Sequence, residues 1–133
     1  MNNLPPILLS VLRIVSGVLF VEHGTTKVLS FPHAPVQSGA PHATTHLMAI
    51  LGQSSGYIEL IGGILLIIGL FTRFSAFILC GEMAVAYFMV HAKMGLYPID
   101  NHGELAVLYC FVFLYLAAAG AGPISIDRLI KRA

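Results

Sequence analysis

Four apolar runs, at about 5–27, 55–71, 74–92 and 103–121, take up most of the chain. A bilayer core of ~30 Å is crossed by ~20 mostly apolar residues in a helix, so each run is a candidate transmembrane span. With 133 residues there is room for these spans and short connections. The expected fold class is therefore all-α, an integral membrane four-helix bundle forming one domain over residues 1–133. Composition agrees. The chain is 57% hydrophobic and 10% charged, with a mean hydropathy of +0.86, whereas soluble domains carry ~25% charged residues. A net charge of +1 without a basic run offers nothing to nucleic acid. Expected partners are membrane lipid and other apolar or membrane-embedded molecules.

The breaks between runs set the topology. Thr72 and Arg73 alone separate the second and third runs, which makes them an antiparallel hairpin of neighbours. The longest break, "SFPHAPVQSGAPHATTH", is rich in proline, histidine and small residues. It is expected to be an exposed loop with a short helix near His42 to His46. One face of the membrane receives the N-terminus, Arg73, Arg128, Lys131 and Arg132, and the other receives Lys27 and Lys93. Positive charge marks the cytoplasmic side, so both termini are expected there, in a multi-pass protein of the cell (inner) membrane. The opening "MNNL" has no basic residue and Arg13 interrupts the first apolar run, so a cleaved signal peptide is not expected. After Gly122 a short interfacial helix is expected near Ser125 and Asp127, which supply a cap.

Each span carries one acid: Glu22, Glu59, Glu82 and Glu104, and the first also carries Arg13. A charge in hydrocarbon costs ~2.5–3.5 kcal/mol on insertion scales, so these groups should face inward and find partners. At ~1.5 Å per residue from the cytoplasmic ends, Arg13 and Glu82 fall near the middle and are expected to form a buried ion pair. Glu22, His23, Lys27, Tyr57, Glu59, His91, Asn101, His102 and Glu104 fall toward the outer end, where they are expected to build one polar pocket. Within it, His23, Glu59 and Glu104 are the candidate catalytic groups. Lys27 and Asn101 stand at the rim, and Glu22, Tyr57, His91 and His102 complete the candidate ligand-binding set. Gly62 and Gly63, one turn beyond Glu59, would let a flat ring or a partner helix approach the backbone. The structural alternative is that these groups are interhelical glue.

Other features are weaker. His33, His42 and His46 lack an acidic or thiol partner, so no metal site is expected. Cys80 and Cys110 lie at similar depths on the third and fourth runs, as small hydrophobes in contact or as a redox pair.

The stretches "RIVSGVLFVEHGTTKV", "YIELIGGILLIIGLFTR", "NHGELAVLY" and "GAGPISID" resemble the DoxX family of small four-helix bacterial membrane proteins over nearly the whole chain. The resemblance rests most on His23, Gly24 and Lys27, on Glu59 with Gly62 and Gly63, on Asn101, Gly103 and Glu104, and on Gly122 to Asp127. The family takes its name from subunits of a thiosulfate:quinone oxidoreductase, and distant eukaryotic relatives serve as cargo receptors. The resemblance implies a quinone-binding oxidoreductase subunit with its pocket near the outer leaflet, working with a partner redox subunit or as a homo-oligomer. No haem-attachment or nucleotide-binding motif is present, so neither cofactor is expected. Quinone reduction consumes protons as well as electrons, and an acid set in oil is a proton donor within reach of the ring. The alternative is a non-enzymatic accessory or ligand-binding module.

Overall fold

The computed structural model describes residues 4–32 and 46–131, with side chains described for 4–32 and 50–131. Helix α1 runs Leu4–Leu29 and opens on Pro5 and Pro6, which suit a first turn because its amides have no intrahelical partner. Helix α2 runs His46–Ile68, α3 Thr72–Ala86, α4 Glu104–Ala119 and α5 Ile126–Ile130. One π-helical turn, Tyr87–His91, continues α3. Three segments are long and apolar enough to cross a membrane: Leu4–Leu29, Ile50–Ile68 and Thr72–His91. Helix α4 has 16 residues, or ~24 Å of rise. The chain is thus an all-α, multi-pass membrane protein.

Its surface and interior are distributed as a lipid-facing protein requires. Exposed side chains include Ile61, Phe74, Phe77, Phe88 and Phe111, while Ser10, Ser16, Thr72 and Ser75 are buried. Lipid is as apolar as leucine, so helices associate through close packing and hydrogen bonds rather than through exclusion of oil from water. Helices α1 and α2 form one tight pair and α3 and α4 another, with a looser seam between α2 and α3. Glycines make the first pair tight. A Cβ added at Gly17 would lie 2.8 Å from the Gly63 carbonyl oxygen, and one at Gly24 would lie 2.6 Å from the Leu60 nitrogen. The core joins the pairs: Phe20 of α1 meets Phe113 edge-on at 4.5 Å and Tyr109 at 4.9 Å, beside Leu66, Leu79, Met83 and Leu116.

Three charged side chains knit the end of the bundle that carries Leu4 and α5. Arg13, fully buried, donates to the carbonyls of Leu66, Ile67, Ala121 and Ile124. The Leu66 and Ile67 carbonyls belong to the last turn of α2, where the Gly69 amide also donates to Leu66 at 3.1 Å and the Ile67 carbonyl depends on Arg13. Arg73 does the same for α4, donating to the Ala118 carbonyl at 2.7 Å and the Ala117 carbonyl at 3.1 Å. Asp127 accepts from the Phe71 amide at 2.8 Å and the Thr72 amide at 2.9 Å, capping α3. The α2–α3 turn passes through Gly69 at φ 69°, and an added Cβ there would strike Arg13 Nη1 at 2.7 Å. Ser125 caps α5 by accepting from the Arg128 amide at 3.3 Å.

Two sequence expectations change. Helix α2 begins at His46 rather than near residue 55, and its polar first half stays compatible with the helix because the Ser54 hydroxyl is satisfied locally, by the Ile50 carbonyl at 2.8 Å. Arg13 and Glu82 do not pair: Arg13 is committed to four carbonyls, and neither carboxylate oxygen of Glu82 has a hydrogen-bond partner. Counting depth from a common baseline misplaced them, since α1 begins well outside the level of the α2–α3 turn and Arg13 sits beside that turn. The histidine-rich loop, with His33, His42 and the expected short helix, lies outside the described residues, as does the side chain of His46.

Candidate functional site

At the opposite end of the bundle, the last turn of α1 carries Lys27, α2 carries Ser55 and Glu59 one turn apart, and α3 carries Glu82. Lys27 Nζ lies 2.6 Å from Glu59 Oε1 and donates to Ser55 Oγ at 2.7 Å. This is the one carboxylate–ammonium pair among the described residues. Gly56 makes it possible: a Cβ there would stand 2.8 Å from Lys27 Cβ, so the lysine stem lies flat on α2 and its head reaches back to Glu59. Glu59 is 1% exposed. Its Oε2 and both oxygens of Glu82 are buried and make no hydrogen bond, although the Ser55 hydroxyl stands close to Glu82. Glu82 lies within electrostatic reach of both Glu59 and Lys27, so one ammonium faces two acids.

Of these groups Lys27, Ser55 and Glu82 line a cavity of about 420 Å³ on the α2–α3 seam, and Glu59 is tied to it through Lys27. Lys27, Ser54, Ser55 and Glu82 form its polar side, and Ile58, Ile78, Met89 and Val90 are among its apolar walls. The last two come from the π turn, an interruption of regular helix that often accompanies functional sites. A smaller cavity of about 230 Å³ shares Ile58 and Ile78 and continues along the seam past Tyr57, Ile61 and Leu65 to Phe74. The seam is thus polar at the Lys27 end and apolar along its length, a shape for an amphipathic molecule. Among the described residues, no three His, Cys, Asp or Glu side chains gather as a metal-binding group.

The other expected site residues are spread over separate places. His23 is exposed, with Nδ1 2.8 Å from the Leu19 carbonyl and its ring stacked on Phe20 at 5.8 Å. Glu22 is exposed on the same turn, and its backbone carbonyl accepts from Thr25 and Thr26. Glu104 is exposed in the first turn of α4, where a negative charge complements the helix dipole. Neither His23 nor Glu104 lines the α2–α3 cavity. Desolvation drives convergence only for groups that are buried, and these two reach the end of the bundle.

Asn101 organises a loop rather than a rim. It is buried, donates to the Gly95 carbonyl at 2.9 Å and accepts from the Gly103 amide at 2.8 Å. His91 Nδ1 lies 2.9 Å from the Asn101 carbonyl, and His102 is exposed at φ 56°. Gly63 is filled by α1 at Gly17 and serves helix packing, whereas Gly62 faces the Leu79 side chain and lines the smaller cavity. Sequence reasoning left out Ser54 and Ser55. Their signal was the spacing of Ser55 four residues before Glu59, on the same helical face.

A small all-α membrane protein of this build, with a buried glutamate paired to a partly exposed lysine beside a lipid-facing seam, is a polytopic membrane protein with an amphipathic site. The chain belongs to the DoxX family, whose model matches residues 8–92. That match takes in Lys27, Glu59 and Glu82. A protein of Haemophilus influenzae, described as an uncharacterized protein, is 47% identical over 134 residues, covering 96% of each chain. A second, described in the same words from the same organism, is 43% identical over 74 residues, 56% of this chain and 49% of that one. No solved structure matches the chain.

Proposed function

We infer that this protein binds a quinone at the Lys27–Glu59–Glu82 end of the α2–α3 seam, as a membrane-embedded oxidoreductase subunit. The observation that carries the reading is Glu82 in the lining of a cavity that also holds one ammonium: both its oxygens are buried without a hydrogen bond, and Glu59 Oε2, tied to the cavity only through Lys27, is likewise unpartnered. Buried polar atoms without partners are expensive, and their cost falls when a ligand supplies donors. A quinol hydroxyl is such a donor, and Lys27 and Ser55 are donors toward a quinone carbonyl. The cavity of about 420 Å³ fits a substituted ring, and the apolar continuation toward Phe74 suits its tail.

A bound quinone supplies a two-electron, two-proton acceptor. The chain contributes the rest. Lys27 and Ser55 orient a ring oxygen, while Glu59 and Glu82 carry protons between that oxygen and the aqueous face nearest Lys27. Electrons come from a partner subunit or a second redox protein. In this reading α4 completes a fourth span and both termini face the cytoplasm of the inner membrane. Reporter fusions to the C-terminus and to the first loop test that orientation, and a periplasm-specific reporter active at the C-terminus would overturn it.

The direct test is solvent extraction of protein purified with its native lipid. Quinone should co-purify, and Glu82→Gln and Glu59→Gln should lower its occupancy by roughly tenfold, ~1.4 kcal/mol, while the folded protein persists. Wild-type protein that contains no quinone and binds none when supplied with it would instead favour the accessory-module reading.

A further inference from the structure

Cys80 of α3 and Cys110 of α4 bring their sulfurs to 3.7 Å, both as free thiols and both half-buried. Cys80 lies eight residues beyond Thr72 and Cys110 nine before Ala119, which puts both ~12–14 Å from the helix ends, deep in the hydrocarbon. The surroundings open toward lipid. A Cβ added at Gly81 would meet nothing within 4 Å, and Phe77, one turn before Cys80, and Phe111, next to Cys110, are each 64% exposed. The helix surface beside the sulfurs is therefore open to lipid, with exposed aromatic rings close by in the chain. Neither cysteine lines the α2–α3 cavity.

We propose that Cys80 and Cys110 form an intramembrane dithiol that a lipid-soluble quinone oxidises to a disulfide. At this depth water-soluble thiols and their disulfides have no access, so any redox partner must dissolve in the bilayer. In the step, two S–H bonds break and one S–S bond forms between the two sulfurs. Two electrons and two protons pass to the quinone, whose two carbonyl oxygens become the hydroxyls of the quinol. Closing 3.7 Å to a disulfide's ~2.05 Å takes rotation of the two side chains within an existing helix contact. The oxidant arrives from the bilayer over the open surface at Gly81. The couple is thus independent of the Lys27–Glu59 cavity.

The experiment uses the full chain in lipid vesicles. Vesicles are treated with a ubiquinone analogue whose ring positions are all substituted, so that no thiol adds to it. Acid quenching, denaturation and labelling with a maleimide polymer then count the free thiols. Untreated protein should take two labels and oxidised protein none, with an intact mass lower by two hydrogens and both labels restored by reduction. Cys80→Ser and Cys110→Ser should each keep their single label after quinone treatment. Glu59→Gln should oxidise like the wild type, so failure of the cavity reading leaves this result standing. Persistence of both labels after quinone treatment would overturn the proposal, as would a disulfide that links two chains instead of α3 to α4. Labels lost to a general permeant oxidant such as diamide but not to the quinone would overturn it too.

Discussion

Lys27 and Glu59 sit 2.6 Å apart at the end of the α1–α2 pair, with the lysine side chain 39% exposed and the glutamate 2%. The asymmetry means that the carboxylate depends on the ammonium, while the ammonium has the aqueous face as an alternative.

Lys27→Met should therefore destabilise the folded protein by about 1–3 kcal/mol. That is less than the ~3–5 kcal/mol typical of a fully buried pair, because Lys27 is partly open. The double variant Lys27→Met with Glu59→Gln should recover part of the loss. Thermal unfolding in detergent measures both, and strictly additive effects would show that the two groups do not depend on each other.

Arg13 and Glu82 should behave as strangers. Arg13→Met strands the carbonyls of Ile67, Ala121 and Ile124, while Leu66 keeps the Gly69 amide, a loss of about 3 kcal/mol at ~1 kcal/mol for each unmet acceptor. Arg13→Lys should fall between, since an ammonium has three donors against the five of a guanidinium. Glu82→Gln should leave unfolding nearly unchanged, and a coupling energy between the two positions above about 1 kcal/mol would restore the ion pair rejected above.

Two glycine-to-alanine changes should differ in sign. At Gly24 the new methyl would lie 2.6 Å from the Leu60 nitrogen and 2.8 Å from the Gly56 carbonyl oxygen, so α1 and α2 must part. The expected cost is about 1–3 kcal/mol, that of overpacking. At Gly81 the space is open, and the methyl should stabilise the helix by about 0.5–1 kcal/mol. Unfolding midpoints that move in the same direction would contradict the packing described for α1 and α2.

Acid should loosen the α5 end. Burial pushes the Asp127 carboxyl up, but the donated amides of Thr72 and Phe71 pull it further down, so it ionises below the ordinary carboxylate range. A folded-state value below the unfolded one means that this contribution is complete above pH ~3.9 and is lost as pH falls below it. Asp127→Asn should remove that acid-sensitive part and cost about 1 kcal/mol near neutrality, the worth of a helix cap. Stability followed from pH 7 into the acid range in both proteins checks the sign, and a variant that keeps the full acid loss would point to other carboxylates.

Hydropathy alone determined that this chain is helical and crosses a membrane, because the cost of placing unpaired backbone in oil leaves a long apolar run one economical structure. It also determined that acids in those runs need partners, and Ser125 marked the cap of α5, whereas Asp127 caps α3. The partners themselves were decided in three dimensions. Arg13 found helix-end carbonyls instead of Glu82 because the vertical offset between α1 and the α2–α3 turn is set by glycine packing, which no count along one helix reveals. Glu59 found Lys27 because Gly56 lets the lysine stem lie against α2. His23 and Glu104 stayed apart because groups that reach the end of the bundle are under no pressure to converge. Rise per residue fixes depth within a helix, but the stagger and rotation between helices come from side chains fitting into one another, and that fit exists only once the bundle has closed.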